Sequence, residues 1–146
     1  MTAFISKGLK PYLLRPGEDF PGCAEGVKAS VHSTDGGFTL IESHAAGGAP
    51  WHVHTREDEY FYVVDGEITV WCGKEEFRAN PGSFVFLPRG IPHAWDVTSR
   101  TKATILMMTV PAMLDEFLRE FHHAAPDQRN AVAQKYGITF FAGRPS

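Results

Sequence analysis

Cysteine is scarce in this chain: Cys23 and Cys72 are the only two among 146 residues. They form neither a CxxC pair nor a disulfide framework, so both are expected to be reduced and structural, and a catalytic thiol is not expected. Long apolar runs are also missing. Stretches such as ATILMMTV, residues 103–110, reach only the length of a strand, far short of a membrane span. The opening stretch MTAFISKGLKPYLLRPGED lacks the apolar core and the small-residue cleavage site of a signal peptide. A soluble, cytoplasmic protein is the expectation, with no membrane partner. Nor does one sign of charge dominate: 14 Lys and Arg face 17 Asp and Glu, scattered along the chain. Without a basic stripe to meet a phosphate backbone, nucleic acid is not expected as a partner. Repeats and low-complexity segments are absent from the sequence.

What remains is one domain's worth of chain, strand-like in the middle and helix-like at the end. FTLIES (38–43) alternates side-chain size between two turn-rich stretches, STDGG and AAGGAP, as a strand between loops does. Tyr60–Val64 and Glu67–Cys72 flank an Asp-Gly pair, which predicts a two-residue hairpin. EEFRA, SFVFL, HAWDV and ATILMMTV then follow, separated by NPG and PRGIP. Seven or more short strands at this spacing predict an antiparallel sandwich or barrel. From Met113 the period changes: Met113, Leu114, Phe117, Leu118 and Phe121 recur at three- and four-residue steps with charges between them, the pattern of an amphipathic helix. A second helix is expected over Gln128 to Tyr136, capped at Gly137, with both helices packed on the outside of the barrel.

Candidate chemistry begins in WHVHTREDEYFYVVDG, residues 51–66. Side chains at i and i+2 of a strand share a face about 7 Å apart, so His52 and His54 project together, both inward or both outward, close enough to converge on one ion. Glu59 shares a face with Phe61 and Val63, whose apolar character points inward. An inward carboxylate is costly to ionise unless a cation or a donor meets it. Farther along, the prolines and Gly90 of LPRGIPH force a turn that ends at His93, whose next same-face residue is Trp95. If that strand neighbours the first pair, three imidazoles and one carboxylate aim at one point, the donor set of a transition metal with room for other ligands. Glu57 and Asp58 compete with Glu59 for the carboxylate role but read as solvated loop acids. His32, His44, His122 and His123 have no partner spacing and read as ordinary structural or surface histidines. Phe61 and Trp95 are candidates to line a pocket for an aromatic substrate or simply to fill the core; Phe84 and Phe86 are expected to be core.

These residues carry a resemblance. His52-x-His54, four residues, Glu59, six residues, Gly66 resembles the first motif of the cupin superfamily, and Gly82, five residues, Pro88-x-Gly90, two residues, His93 resembles the second. Two positions depart from the pattern, Ala46 where a glycine usually opens the first motif and Val97 where an asparagine usually closes the second. Neither is a ligand position. KASVHSTDGGFTLIE, PGSFVFLPRGIPHAW, the helix from Met113 to His122 and QKYGITFF extend the likeness to single-domain cupins of the quercetin 2,3-dioxygenase-like type.

The resemblance implies an all-β fold, a double-stranded β-helix or jelly-roll barrel over about residues 28–111, with C-terminal α-helices over about 112–137, in one domain spanning 1–146. It implies His52, His54, Glu59 and His93 as ligands of one divalent transition metal ion: Fe, Mn, Co, Ni, Cu or Zn. It further implies a metal-dependent dioxygenase acting on a small enolisable or aromatic compound, with Glu59 as proton acceptor and dioxygen as co-substrate. A metal-dependent isomerase, cyclase or lyase without dioxygen, and a non-catalytic small-ligand-binding protein, are the alternatives. A homodimer is expected, paired through the N-terminal segment FISKGLKPYLL and the sheet edges.

Overall fold

Alternation along the strands sorts side chains into an inside and an outside. In β4, Asp58–Asp65, the residues Glu59, Phe61 and Val63 are buried while Tyr62 and Val64 are exposed. The computed structural model describes residues 8–146, in which this sorting builds two five-stranded sheets packed face to face. The remaining strands are β1 (Val27–Ala29), β2 (Thr39–Ala45), β3 (Ala49–His54), β5 (Ile68–Cys72), β6 (Glu75–Ala79), β7 (Phe84–Leu87), β8 (His93–Val97), β9 (Ala103–Val110) and β10 (Ile138–Phe140). Two helices, α1 (Leu114–His123) and α2 (Arg129–Lys135), lie between β9 and β10, joined by a 3₁₀ turn at Pro126–Gln128. The first sheet runs β1-β2-β9-β4-β7 and the second β10-β3-β8-β5-β6, with every pairing antiparallel. From β2 to β9 the chain passes repeatedly from one sheet to the other, the winding of a jelly roll.

Asp65-Gly66 is one such passage rather than a hairpin. β4 already has β7 on one side and β9 on the other, so β5 has no edge of that sheet to join and pairs with β6 and β8 instead. Gly66 still has a turn's geometry, at φ 77°, and a Cβ there would lie 2.7 Å from the Cα of Ala103, so glycine is needed for the corner. The two-residue hairpin is at Gly73-Lys74, between Cys72 and its partner Glu75. Both cysteines are free thiols.

The core falls into two parts. Phe61, Val63, Ile68, Val70, Leu87 and Ile105 fill the space between the sheets. Val27, Ile41, Leu114, Phe117 and Ile138 form a second cluster where the helices meet the strands. The helices therefore do not pack on the outside of the barrel. They close an open end, because the apolar stripe of α1 finds its partners on the inward residue Ile41 and on Ile138 of β10. Burying Leu114 and Phe117 there is worth about 1.5–3 kcal/mol each. The Asp115 carboxylate pins the start of α1, accepting hydrogen bonds from the Thr39 hydroxyl at 2.8 Å and from the Val31 amide.

Phe84 and Phe86 also depart from expectation: they are 62% and 46% exposed. On β7 the inward positions are Val85 and Leu87, and the two phenylalanines stand on the outer face beside Tyr60 and Tyr62. Residues 4–7 of the N-terminal segment lie outside the described residues, and Gly8–Leu14 contains no strand. No helix among the described residues is long and apolar enough to cross a membrane.

Candidate metal centre

β3 lies inside the second sheet, with β10 on one side and β8 on the other. His52 is the cross-strand partner of His93 on β8, while His54 is opposite Ile138 on β10. Both histidines of β3 point into the barrel and are buried, as is His93. Glu59 reaches them from the opposite sheet, where its strand neighbours are Leu87 and Thr109. The strand period of two thus places three imidazoles on one inner wall and a carboxylate on the other.

One ligand atom from each of His52, His54, Glu59 and His93 falls within 4.8 Å of all the others. Glu59 Oε2 lies 3.0 Å from His93 Nε2 and 3.3 Å from His54 Nε2. The ring centroids of His52 and His54 are 5.0 Å apart. Three neutral imidazoles and one carboxylate suit a divalent transition ion, and four buried groups of this kind packed together have few other physical uses.

Electrostatics sets the three titrating groups apart. Burial, helped by neighbouring His93, pushes His52 down to about 4. Burial also works against charge on His54, but hydrogen bonds to Glu57 and Glu59 prevail and raise it to about 9. Glu59 would be raised by its burial, yet hydrogen bonds from His54 and His93 hold it well below the ordinary carboxylate range. Glu59 is therefore ionised at neutral pH.

Glu57 is not the solvated loop acid that its place in TRED suggests. It is 2% exposed, and its Oε1 accepts a 2.6 Å hydrogen bond from His54 Nδ1. Asp58 stays nearer the surface, where it binds Arg89 through the backbone amide at 2.8 Å and the guanidinium at 3.1 and 3.2 Å. His44 stands at the surface with its Nδ1 3.0 Å from the Thr104 hydroxyl.

A cavity of about 340 Å³ opens over His52, His54 and Glu59. Its walls include Trp95, Met107, Phe117, Phe121 and Phe140, with Ser43 and His122 as polar groups. Trp95 is thus a wall residue. Phe61 is not: it is fully buried, packed edge-on behind Trp95 with ring centroids 5.5 Å apart. His122 had no recognisable spacing in the sequence, and only the docking of α1 brings it to the cavity.

Residues 39–109 match the family model described as the cupin domain. The chain belongs to the cupin superfamily. This cupin is 28% identical over 121 residues to quercetin 2,3-dioxygenase of Bacillus subtilis (strain 168), an alignment that covers 79% of the chain and 36% of the dioxygenase. It is 26% identical over 83 residues to the tetracenomycin polyketide synthase protein TcmJ of Streptomyces glaucescens, covering 57% of the chain and 56% of that protein. The cupin thus spans about a third of the first relative and just over half of the second. Among solved structures, TT1209 from Thermus thermophilus is 31% identical, with 52% of this chain and 74% of that one covered at a TM-score of 0.47.

Proposed function

We propose that this cupin is a metal-dependent oxygenase, a dioxygenase acting on a small enolisable or aromatic compound. The observation that carries the reading is the meeting of three imidazoles and one carboxylate at the base of an apolar-walled cavity. Similarity to a quercetin 2,3-dioxygenase supports it. A divalent ion held by His52, His54, Glu59 and His93 would supply Lewis-acid chemistry, polarising a substrate oxygen and lowering the pKa of its hydroxyl group. Glu59, ionised and lining the cavity, would accept the hydroxyl proton of a substrate bound there. Trp95, Met107 and Phe140 give a flat substrate apolar contact and keep water from the deprotonated form, leaving dioxygen as the electrophile.

A second reading uses the same buried, ionised base without dioxygen, as an isomerase, cyclase or lyase. Oxygen-electrode assays on flavonols and other enolisable compounds separate the two. Uptake that matches substrate loss supports the oxygenase; turnover without uptake supports the second reading.

We further propose a cytoplasmic homodimer paired through the outer face of the first sheet. Two rows cross that face, Leu40–Met108–Tyr60–Phe86 and Glu42–Leu106–Tyr62–Phe84. The three strands β9, β4 and β7 contribute no charge to either row, and at the margins Asp58 is paired with Arg89 and Glu42 lies beside His44. A two-fold axis sets like against like, so a neutral centre with paired margins suits a second copy. Seven residues of β2 with the matching stretches of β9 and β4, and the four residues of β7, project to roughly 400 Å². The ruffled aromatic surface exceeds its projection, and the exposed Phe38 extends it past the start of β2, toward the ~800 Å² per partner of a stable dimer.

A further inference from the structure

The three ligand imidazoles differ in what holds their second ring nitrogen. His52 Nδ1 donates to the carbonyl oxygen of Pro50 at 2.6 Å. His54 Nδ1 donates to the Glu57 carboxylate, also at 2.6 Å. His93 Nδ1 is buried and has no hydrogen-bond partner among the described residues. One imidazole is therefore held by a charge, one by a dipole and one by packing alone.

Glu57 is costly where it stands. A carboxylate with 2% exposure gives up its hydration and persists in the interior only with a strong donor, which His54 provides. The short loop that carries it is fixed from the far end of the chain. The Thr55 amide and hydroxyl both donate to the Gly137 carbonyl, at 2.9 and 2.8 Å, and the Arg56 guanidinium donates to the Lys135 carbonyl at 2.9 Å. Gly137, at φ 71°, leaves room there that a Cβ would fill, 2.6 Å from the Thr55 hydroxyl. α2 and β10 thus act as a clamp on the loop between His54 and Glu59.

We propose that Glu57 is a positioning residue for the metal centre: it fixes the His54 ring with Nε2 toward the ion and contributes the second negative charge that balances a dication. The inference rests on the metal-binding reading. Glu59 supplies one negative charge from inside the centre and Glu57 the other from behind a ligand, so a dication with three neutral imidazoles makes a buried assembly of no net charge. An ionised partner behind an imidazole also makes that ring a stronger donor. His54 is then the most firmly oriented ligand and His93 the least.

The test uses the full chain with Zn(II) as the probe, in competition against a chromophoric chelator, together with long-range proton–nitrogen NMR of the zinc-loaded protein. Glu57→Ala removes orientation and charge together and is expected to weaken zinc binding by about 10–100-fold. Its His54 should lose the hydrogen-bonded Nδ1 proton signal while that of His52 is unchanged. Glu57→Gln keeps an acceptor oxygen and removes the charge, so it should retain the Nδ1-protonated tautomer and bind zinc with an affinity between those of wild type and Glu57→Ala. A residue that only stabilised the loop would lower the melting temperature without moving either readout. A folded Glu57→Ala protein with zinc affinity within twofold of wild type overturns the proposal, as does wild-type His54 bound to zinc through Nδ1. Should the alanine variant not fold, Glu57→Gln decides, and wild-type affinity there overturns the role of its charge. Wild-type protein that takes up no zinc would instead overturn the metal reading itself, and this inference with it.

Discussion

His52 and His93 face each other across the β3–β8 pair with ring centroids 4.4 Å apart, although β4 to β7 separate them along the chain. Strand register, not a flexible loop, brings them together. Glu59 then arrives from the other sheet at a fixed depth, as neighbour of Thr109 and Leu87. A site built on strands in this way has its side chains placed by the fold itself.

Glu59 is asked to be both ligand and base. Glu59→Gln keeps the shape and a carbonyl oxygen but cannot accept the proton, so it is expected to retain much of the metal and to lose turnover by about two or more powers of ten. Steady-state assays at saturating metal check this. Near wild-type turnover would remove Glu59 as the base.

Much of this was legible in the sequence, and the misses have physical causes. The i, i+2 spacing of His52 and His54 and the apolar companions of Glu59 told which residues share a face, because the strand period is fixed by backbone geometry. Asp65-Gly66 was misread because turn chemistry is local, whereas the choice of sheet depends on which edges are already occupied. Glu57 was misread because an acid in a polar loop looks solvated until the clamp from Gly137 and Lys135 presses that loop inward. Phe84 and Phe86 were misread because hydrophobicity alone does not say which of two alternating faces is inside. The strand β10 was not anticipated at all, since three residues, Ile138–Phe140, carry too little pattern to be told from a tail.

Phe61 is fully buried between the sheets, so Phe61→Ala leaves a cavity that the packed strands cannot close. A loss of about 3–5 kcal/mol in chemical denaturation is expected, with metal content unchanged in the folded protein because Phe61 is not one of the four clustered groups.

In the metal-free protein the two histidines of β3 give opposite pH dependence. His54, at about 9 in the fold, lies above the roughly 6.5 of an unfolded chain, so its stabilisation is fully present below about pH 6.5 and is lost as pH rises through about 9. His52, at about 4, is the reverse, stabilising above about pH 6.5 and losing that as pH falls toward about 4. Chelator-treated protein should therefore melt at the highest temperature near about pH 6.5 and fall off on both sides. The alkaline fall should be smaller in His54→Gln. A melting temperature in wild type that stays level from neutral to alkaline pH would contradict the His54 assignment.

If a second copy covers the outer face of the first sheet, the double variant Phe84→Lys, Phe86→Lys should be monomeric by light scattering while wild type has a dimer mass at micromolar concentration. Both side chains point away from the core, so the fold and metal content should survive. Hydroxyl-radical footprinting of wild type should show Tyr62, Phe84 and Phe86 protected on concentration. A monomeric wild type, or a dimer that persists in the double variant, would contradict this surface.

The most direct measurement is elemental analysis of protein purified without added metal, comparing wild type with His52→Ala, His93→Ala and His44→Ala. His44 serves as control because it lies at the surface, outside the cluster. The account predicts about one transition metal ion per chain in wild type and His44→Ala, and a marked loss in His52→Ala and His93→Ala proteins that stay folded by circular dichroism. Equal metal content in all four proteins, or none in wild type, would contradict it.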